Sequence, residues 1–395
     1  MATYNLDRVE INHLLTPNID PAARAAAVDY LLNSGIFDDD DDDGHKQEKH
    51  DNDNKFDDDH EHHSHHHGDP TFKVEVSDGT IPLDPQAQLV DLTTANNVVD
   101  TTDPALKVIV ENVSGDSQLS VLHGDTDVLI VTGNGNDQVD LHDFGNDIVL
   151  TGSGNDTVHA GDGADSVYGG AGDDLLVAGT GAHQLLSGGD GNDVLQGAAG
   201  SYDSLYGGNG NDTLMAGSGD HQLLVGGGGN DVLIGGSGAW DSLYGGAGND
   251  SMQAGDGDHQ LLVGGDGSDT LHGGEGAWDT LMGGNGQDVL YAGTGAHQLL
   301  MGGNGNDVFY SGSSGDTLDG GNGNDLFHLT GHHISDTIDG GIGDNTVQFD
   351  SYSTPDIASL HSSHGETIIQ FKDGQTVTVT HVENLVFTDK TEHLH

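Results

Sequence analysis

Cysteine is absent from the 395 residues, and Lys and Arg together number 9 against 66 Asp and Glu. Without cysteine, neither disulfides nor thiolate metal sites can brace the chain. Between Lys107 and Lys372 there is no Lys or Arg at all, and the formal net charge is -57. That balance excludes nucleic acid as a partner, because its phosphates need cationic side chains. Aromatic residues make up only 5%, too few for a large globular core. No apolar run is long enough for a membrane span. Arg24 and Asp29 interrupt the only apolar stretch near the amino terminus, so a cleaved leader is not expected.

Glycine is abundant, at 65 residues, more than twice its usual share of about 7%. A compact chain with so many uncompensated carboxylates repels itself, so it either stays unfolded or folds around cations. The arrangement of the glycines favours cations.

Composition divides the chain into five stretches. Residues 1–36 form an N-terminal helical segment, with a short helix expected over 20–35: Asp20 caps it, Pro21 opens its first turn and Gly35 stops it. Residues 37–70 read as a disordered acidic, His-rich linker. It carries six consecutive Asp from Asp38 to Asp43, and a cluster of His60, His62, His63, His65, His66 and His67. The cluster is either a solvated spacer or a weak metal tract for Zn²⁺, Ni²⁺ or Ca²⁺. Residues 71–131 hold irregular strands, among them 106–110 and 127–131. The glycine repeats fill 132–345. In 346–395, strand-like runs at 367–371, 376–382 and 384–387 form a β cap that closes the open end of a stack.

The repeats are most self-similar at 38 residues, with GGAGDD at Gly169, GGNGND at Gly207, GGAGND at Gly245 and GGNGQD at Gly283. Each unit divides into turns of 9, 10, 9 and 10 residues. Most turns follow Gly-Gly-x-Gly-x-Asp-x-U-x, where U is aliphatic or aromatic; GGDGNDVLQ from Gly188 and GGNGNDVFY from Gly302 are clear copies. Glycines permit positive φ and let carbonyls turn toward one point. Position eight, as in Leu195, Leu214, Leu233, Leu271 and Phe309, points inward as a thin core. Position six supplies a carboxylate, and hard cations such as Ca²⁺ take six to eight oxygens of this kind.

This pattern resembles the repeats-in-toxin (RTX) family, whose glycine-rich nonapeptide is a Ca²⁺-binding parallel β-helix repeat. The resemblance covers Thr132 to about Asn345. It implies an all-β fold, a right-handed parallel β-roll whose turns alternate between two edges. Turns on the same edge then recur every 18 or 19 residues. On the first edge this aligns Asp137, Asp156, Asp174, Asp193, Asp212, Asp231, Asp250, Asp269, Asp288, Asp307 and Asp325. Several calcium ions are expected between these rungs, held also by the backbone of Gly169, Gly188, Gly207, Gly226, Gly245, Gly264, Gly283, Gly302 and Gly320. Carboxylates spaced by the roughly 4.8 Å of adjacent strands repel by about 1 kcal/mol in water and several-fold more at a partly buried edge. The stack is therefore not expected to close without cations.

The second edge departs from the family pattern. Its turns carry one extra residue before position six, as in AGTGAHQLLS from Ala178 and GGSGAWDSLY from Gly235. The inserted residues are His183, Tyr202, His221, Trp240, His259, Trp278 and His297, and position six alternates as Gln184, Asp203, Gln222, Asp241, Gln260, Asp279 and Gln298. Half the carboxylates are thus replaced by amides. Three roles fit the ring-bearing row: rings and imidazoles stacked as edge packing, a ribbon for a linear extracellular polysaccharide or cell surface, or a transition-metal array.

The family resemblance further implies export from a Gram-negative bacterium through the type I secretion machinery, addressed by an uncleaved C-terminal segment. Extracellular Ca²⁺ modules bind at about 0.1 to 1 mM, so such a roll folds on leaving the cell. A non-enzymatic component of adhesion, a surface layer or a matrix is expected. The alternative is a secreted polysaccharide-active enzyme, or its calcium-binding module. No HExxH or GxSxG stands in the sequence to mark a metalloprotease or a serine hydrolase. A carboxylate pair that cuts glycans needs no such motif.

Overall fold

The computed structural model describes residues 2–6, 72–77, 89–100, 108–111, 113, 115–122, 124–312, 315–330 and 335–394. The helix expected over 20–35 and the Asp/His tract, including His60, His62, His63, His65, His66 and His67, lie outside the described residues.

The chain is a parallel β-solenoid of about 13 turns. One sheet is built of short strands such as Val194–Gln196, Thr213–Met215 and Val232–Ile234. The other is built of longer ones such as Leu185–Asp190, Ser204–Asn209 and Leu223–Gly228. Each strand pairs in parallel with its equivalent one coil on. Leu195 faces Leu214, which faces Leu233, and Leu186, Leu205 and Leu224 align in the same way across the solenoid.

This register follows from the repeat. Alternate strand residues point to opposite faces, so most repeat strands send one leucine inward, and a 19-residue step places leucine on leucine, with Met252 standing in between Leu233 and Leu271. Leu186, Leu205, Leu224 and Leu243 from the longer strands, and Leu195, Leu214 and Leu233 from the shorter ones, have no exposed surface. Burial of each contributes roughly 1.5–3 kcal/mol. Phe309 and Phe327 take over the position near the C-terminal end and stack at 4.6 Å. A core one side chain deep per strand is as thin as the low aromatic content demands.

The longer strands continue through the first glycines of the next turn, so that Gly189 pairs with Gly208 and Asp190 with Asn209. Pairing thereby reaches the edge that carries the aspartates and fixes its geometry.

Antiparallel strands cover one sheet at the start and both sheets at the other end, which removes exposed parallel edges there. At the start, Ala2–Leu6 pairs with Phe72–Ser77, itself the parallel partner of Leu89–Leu92. At the other end, Thr376–Thr380 pairs in parallel with Thr337–Asp339 and is flanked by Glu366–Phe371 and then Ile357–Ser363. Thr391–His393 closes the second sheet against Asn384–Val386.

Candidate metal-binding edges

Along the first edge, the backbone N–H of each aspartate donates to Oδ1 of the aspartate one coil further on. Asp137 donates to Asp156 at 2.7 Å, Asp193 to Asp212 at 2.8 Å, Asp231 to Asp250 at 2.8 Å and Asp307 to Asp325 at 2.9 Å. The row ends without charge: Asp325 donates to Oδ1 of Asn345 at 2.9 Å, and the Asn345 amide donates to the carbonyl of His381 at 3.1 Å. Throughout the row, from Asp137 to Asp325, the second oxygen, Oδ2, is buried with no hydrogen-bond partner.

The neighbouring position five laces the turn in the opposite direction. Asn211, Asn230 and Asn249 each donate a backbone N–H back to the Oδ1 of Asn192, Asn211 and Asn230 in the preceding coil. In the repeat pattern position five is an unrestricted x, although it is often Asn, as in GGNGND, so the sequence did not announce this role.

The glycines serve two distinct purposes. The second and fourth of each turn have positive φ, such as 120° at Gly208 and 132° at Gly210, where a side chain is strained. The first does not need such a φ; it needs space. A Cβ on Gly226 would lie 2.3 Å from Oδ2 of Asp231 and 2.7 Å from the carbonyl oxygen of Gly245. Gly207, Gly245, Gly264, Gly283, Gly302 and Gly320 meet the Oδ2 of their own turn's aspartate in the same way. Each first glycine therefore leaves a small volume bordered by a carboxylate oxygen and, at most rungs, by a carbonyl oxygen of the next coil.

From Asp156 onward, burial pushes the carboxyls of this row up from their ordinary range near 3.8. Asp156, Asp193, Asp212, Asp250 and Asp269 rise to about 6, Asp307 to about 7 and Asp174 to about 8. The backbone N–H donors work against the rise, and neighbouring aspartates mostly add to it. A buried oxygen without a donor, in a carboxyl that resists ionising, is the environment a cation would relieve. Among the described residues no three His, Asp or Glu side chains converge, so a cation here must take most of its ligands from backbone carbonyls. The donor set is all oxygen, which suits a hard ion such as Ca²⁺.

The second edge is built differently in its middle. Gln184, Gln222, Gln260 and Gln298 donate their backbone N–H to Oδ1 of Asp203, Asp241, Asp279 and Asp316. Their side-chain amides reach into the preceding coil. Nε2 of Gln184 donates to the carbonyls of Gly161 and Gly163 at 3.0 and 2.9 Å. Those of Gln222, Gln260 and Gln298 donate to Gly200, Gly238 and Gly276 at 2.5, 2.7 and 2.8 Å. Toward the two ends the edge reverts to paired carboxylates: Asp147 donates to Asp165 at 2.8 Å and Asp316 to Asp336 at 3.0 Å.

The seven inserted residues, His183, Tyr202, His221, Trp240, His259, Trp278 and His297, all adopt positive φ between 60° and 68°. Their rings stack face to face: His183 on Tyr202 at 5.2 Å, Tyr202 on His221 at 4.7 Å, Trp240 on His259 at 4.1 Å and Trp278 on His297 at 4.4 Å. An aromatic ring thus separates His183 from His221, which prevents them from sharing a metal ion. The stacked faces are occupied by neighbours, while about half of each large ring stays exposed (51% for Tyr202, 53% for Trp240 and 55% for Trp278). A second ring ladder, His272, Tyr291, Tyr310 and His328, runs along the short-strand sheet at 4.3, 4.6 and 4.8 Å. Its members stand at ordinary strand positions, where nothing in the local sequence marks them out.

Fold and site together define a β-solenoid laced along one edge by buried carboxylates suited to a hard cation. The model of the RTX calcium-binding nonapeptide repeat matches residues 143–176, 178–201, 187–220, 222–239, 238–258, 259–277, 276–296 and 297–327. The segment 143–327 therefore belongs to that family, and its repeats bind multiple calcium ions. No match to the chain is found among curated proteins. No helix among the described residues is long and apolar enough to cross a membrane.

Proposed function

We propose that this chain is a secreted, non-enzymatic structural protein that folds outside the cell as calcium enters the first edge. The unpaired Oδ2 atoms of the aspartates from Asp137 to Asp325 carry this proposal, since they form a continuous buried row with no donor. Each carboxylate, with carbonyl oxygens such as that of Gly245 beside Asp231, would hold an ion between two coils. Bound calcium supplies the positive charge that lets neighbouring carboxylates ionise at close range.

A sub-millimolar to millimolar affinity, the range of extracellular calcium modules, keeps the repeats unfolded in the cytosol and folds them on export. That order suits release through type I secretion machinery, with the C-terminal segment 346–395 as the address and, once outside, the cap. The half-exposed Tyr202, Trp240 and Trp278 favour contact with a matrix, surface layer or extracellular polysaccharide, made through ring edges. Far-UV dichroism of the full chain under chelation and calcium return tests the folding claim. Loss of β-structure in chelator and its recovery with calcium are expected, and a spectrum indifferent to chelation at neutral pH overturns it.

A further inference from the structure

We propose that the glutamines of the second edge replace calcium: each side-chain amide fills the gap that an ion would occupy, and the edge from Asp165 to Asp316 is zipped without metal. The inference rests on calcium binding along the first edge, against which it is defined.

The two edges can be compared atom by atom. On the first, Oδ2 of Asp231 and the carbonyl oxygen of Gly245 in the next coil border the same space beside Gly226, and neither oxygen brings a proton. Acceptors that border one buried space without a donor are relieved by something positive placed there. On the second edge, Oδ2 of Asp241 is likewise buried without a hydrogen-bond partner, but the gap above it receives the side chain of Gln260, whose Nε2 donates to the carbonyl of Gly238. The gaps above Asp203 and Asp279 receive Gln222 and Gln298 in the same manner. Burial pushes Asp203 and Asp279 upward, and the backbone N–H of Gln184 or Gln260, followed by the Gln222 or Gln298 side chain, draws them back. An amide NH₂ carries two donors on one nitrogen. It serves the carbonyl that on the first edge is left to a cation, and it occupies the space the ion would need.

The gaps below the aspartates are also unsuited to an ion. There the aspartate meets a glutamine whose amide has turned away into the preceding coil, so one carboxylate is present where the first edge has two. Paired carboxylates return at Asp147 with Asp165 and at Asp316 with Asp336, outside the glutamine stretch. Every second rung of the middle of the solenoid therefore has a neutral clasp, placed opposite a row that needs metal.

Bound calcium per chain, measured by equilibrium dialysis at saturating calcium, tests this with paired variants of the full chain. Asp231→Asn on the first edge is expected to lower the amount bound, while Asp241→Asn on the second leaves it at the parent value. Equal losses from both variants overturn the clasp and leave calcium binding standing. No loss from Asp231→Asn overturns the first-edge assignment instead. Gln260→Glu, which puts an oxygen in place of Nε2 facing Gly238, is expected to raise the amount bound. It also brings terbium close to Trp240 and Trp278, so terbium emission excited through tryptophan should rise well above that of the parent. Parental terbium emission from a calcium-folded Gln260→Glu protein counts against the clasp.

Discussion

The backbone N–H of Asp231 donates to Oδ1 of Asp250 at 2.8 Å, and the other oxygen of the Asp250 carboxyl is buried without a partner. One half of the carboxyl therefore fixes the spacing of two coils, while the other half is left to be neutralised. Repeated along the edge, that division makes stability depend on proton and calcium activity together.

The sign of the pH dependence follows. In the unfolded chain these carboxyls titrate near 3.8, and in the folded metal-free chain burial raises Asp212, Asp250 and Asp269 to about 6 and Asp307 to about 7. Between those values the folded state holds protons that the unfolded state has released, so stability falls as pH rises. In chelator the solenoid is expected to hold its β-structure near pH 4 to 5, roughly the window just above the unfolded value, and to lose it as pH rises through about 6 to 7. With calcium in excess the trend reverses, because only the ionised carboxylate binds the ion. Thermal melts followed by far-UV dichroism at both ends of this range check it; a metal-free protein more stable at pH 8 than at pH 5, roughly the two sides of the raised values, contradicts it.

Two glycines in one turn separate space from sequence conservatism. A methyl group on Gly226 would press on Oδ2 of Asp231 and the carbonyl of Gly245, whereas one on Gly228 would meet only Oδ1 of Asn209 at 3.7 Å. Gly226→Ala is expected to destabilise the calcium-loaded protein by about 1–3 kcal/mol, the range for overpacking, and to raise the calcium concentration needed for folding. Gly228→Ala should stay within about 0.5 kcal/mol of the parent. Calcium titrations of the two variants followed by dichroism distinguish them.

Asp231→Ala addresses the row itself. It removes the oxygen facing the next coil and also the acceptor for the N–H of Asp212. The lost hydrogen bond alone is worth about 1 kcal/mol, and the lost ligand raises the calcium midpoint of folding further. A midpoint equal to the parent's contradicts the assignment of Asp231.

Much of this was legible in the chain. The 19-residue spacing that sets Leu195 on Leu214, and Asp193 on Asp212, is a property of the repeat and needs no long-range information. The role of the first glycine was not legible, because Gly226 and Gly227 look alike in sequence; only the second has positive φ, and only the first abuts a carboxylate. Gln260 was visible as a lost charge, yet the direction in which its amide points depends on packing between coils. The closing strands Ile357–Ser363 and Thr391–His393 are polar and mostly exposed, so no apolar alternation announces them.

Trp240 asks whether the ring-bearing row exists for stability. Its φ of 66° lies in the left-handed region, which costs a non-glycine residue roughly 1–2 kcal/mol. Its stacking on His259 at 4.1 Å returns about 0.5–1.5 kcal/mol. Trp240→Ala keeps the strain and loses the stack, so it should melt below the parent. Trp240→Gly loses both and is expected to melt above the alanine variant, close to the parent or higher. If that order holds in calcium, a tryptophan at this position gives the fold no net advantage over glycine, and its exposed edge is retained for contact with something outside the chain. If the glycine variant instead melts well below the parent, the rings are packing, and the row has no need of a partner.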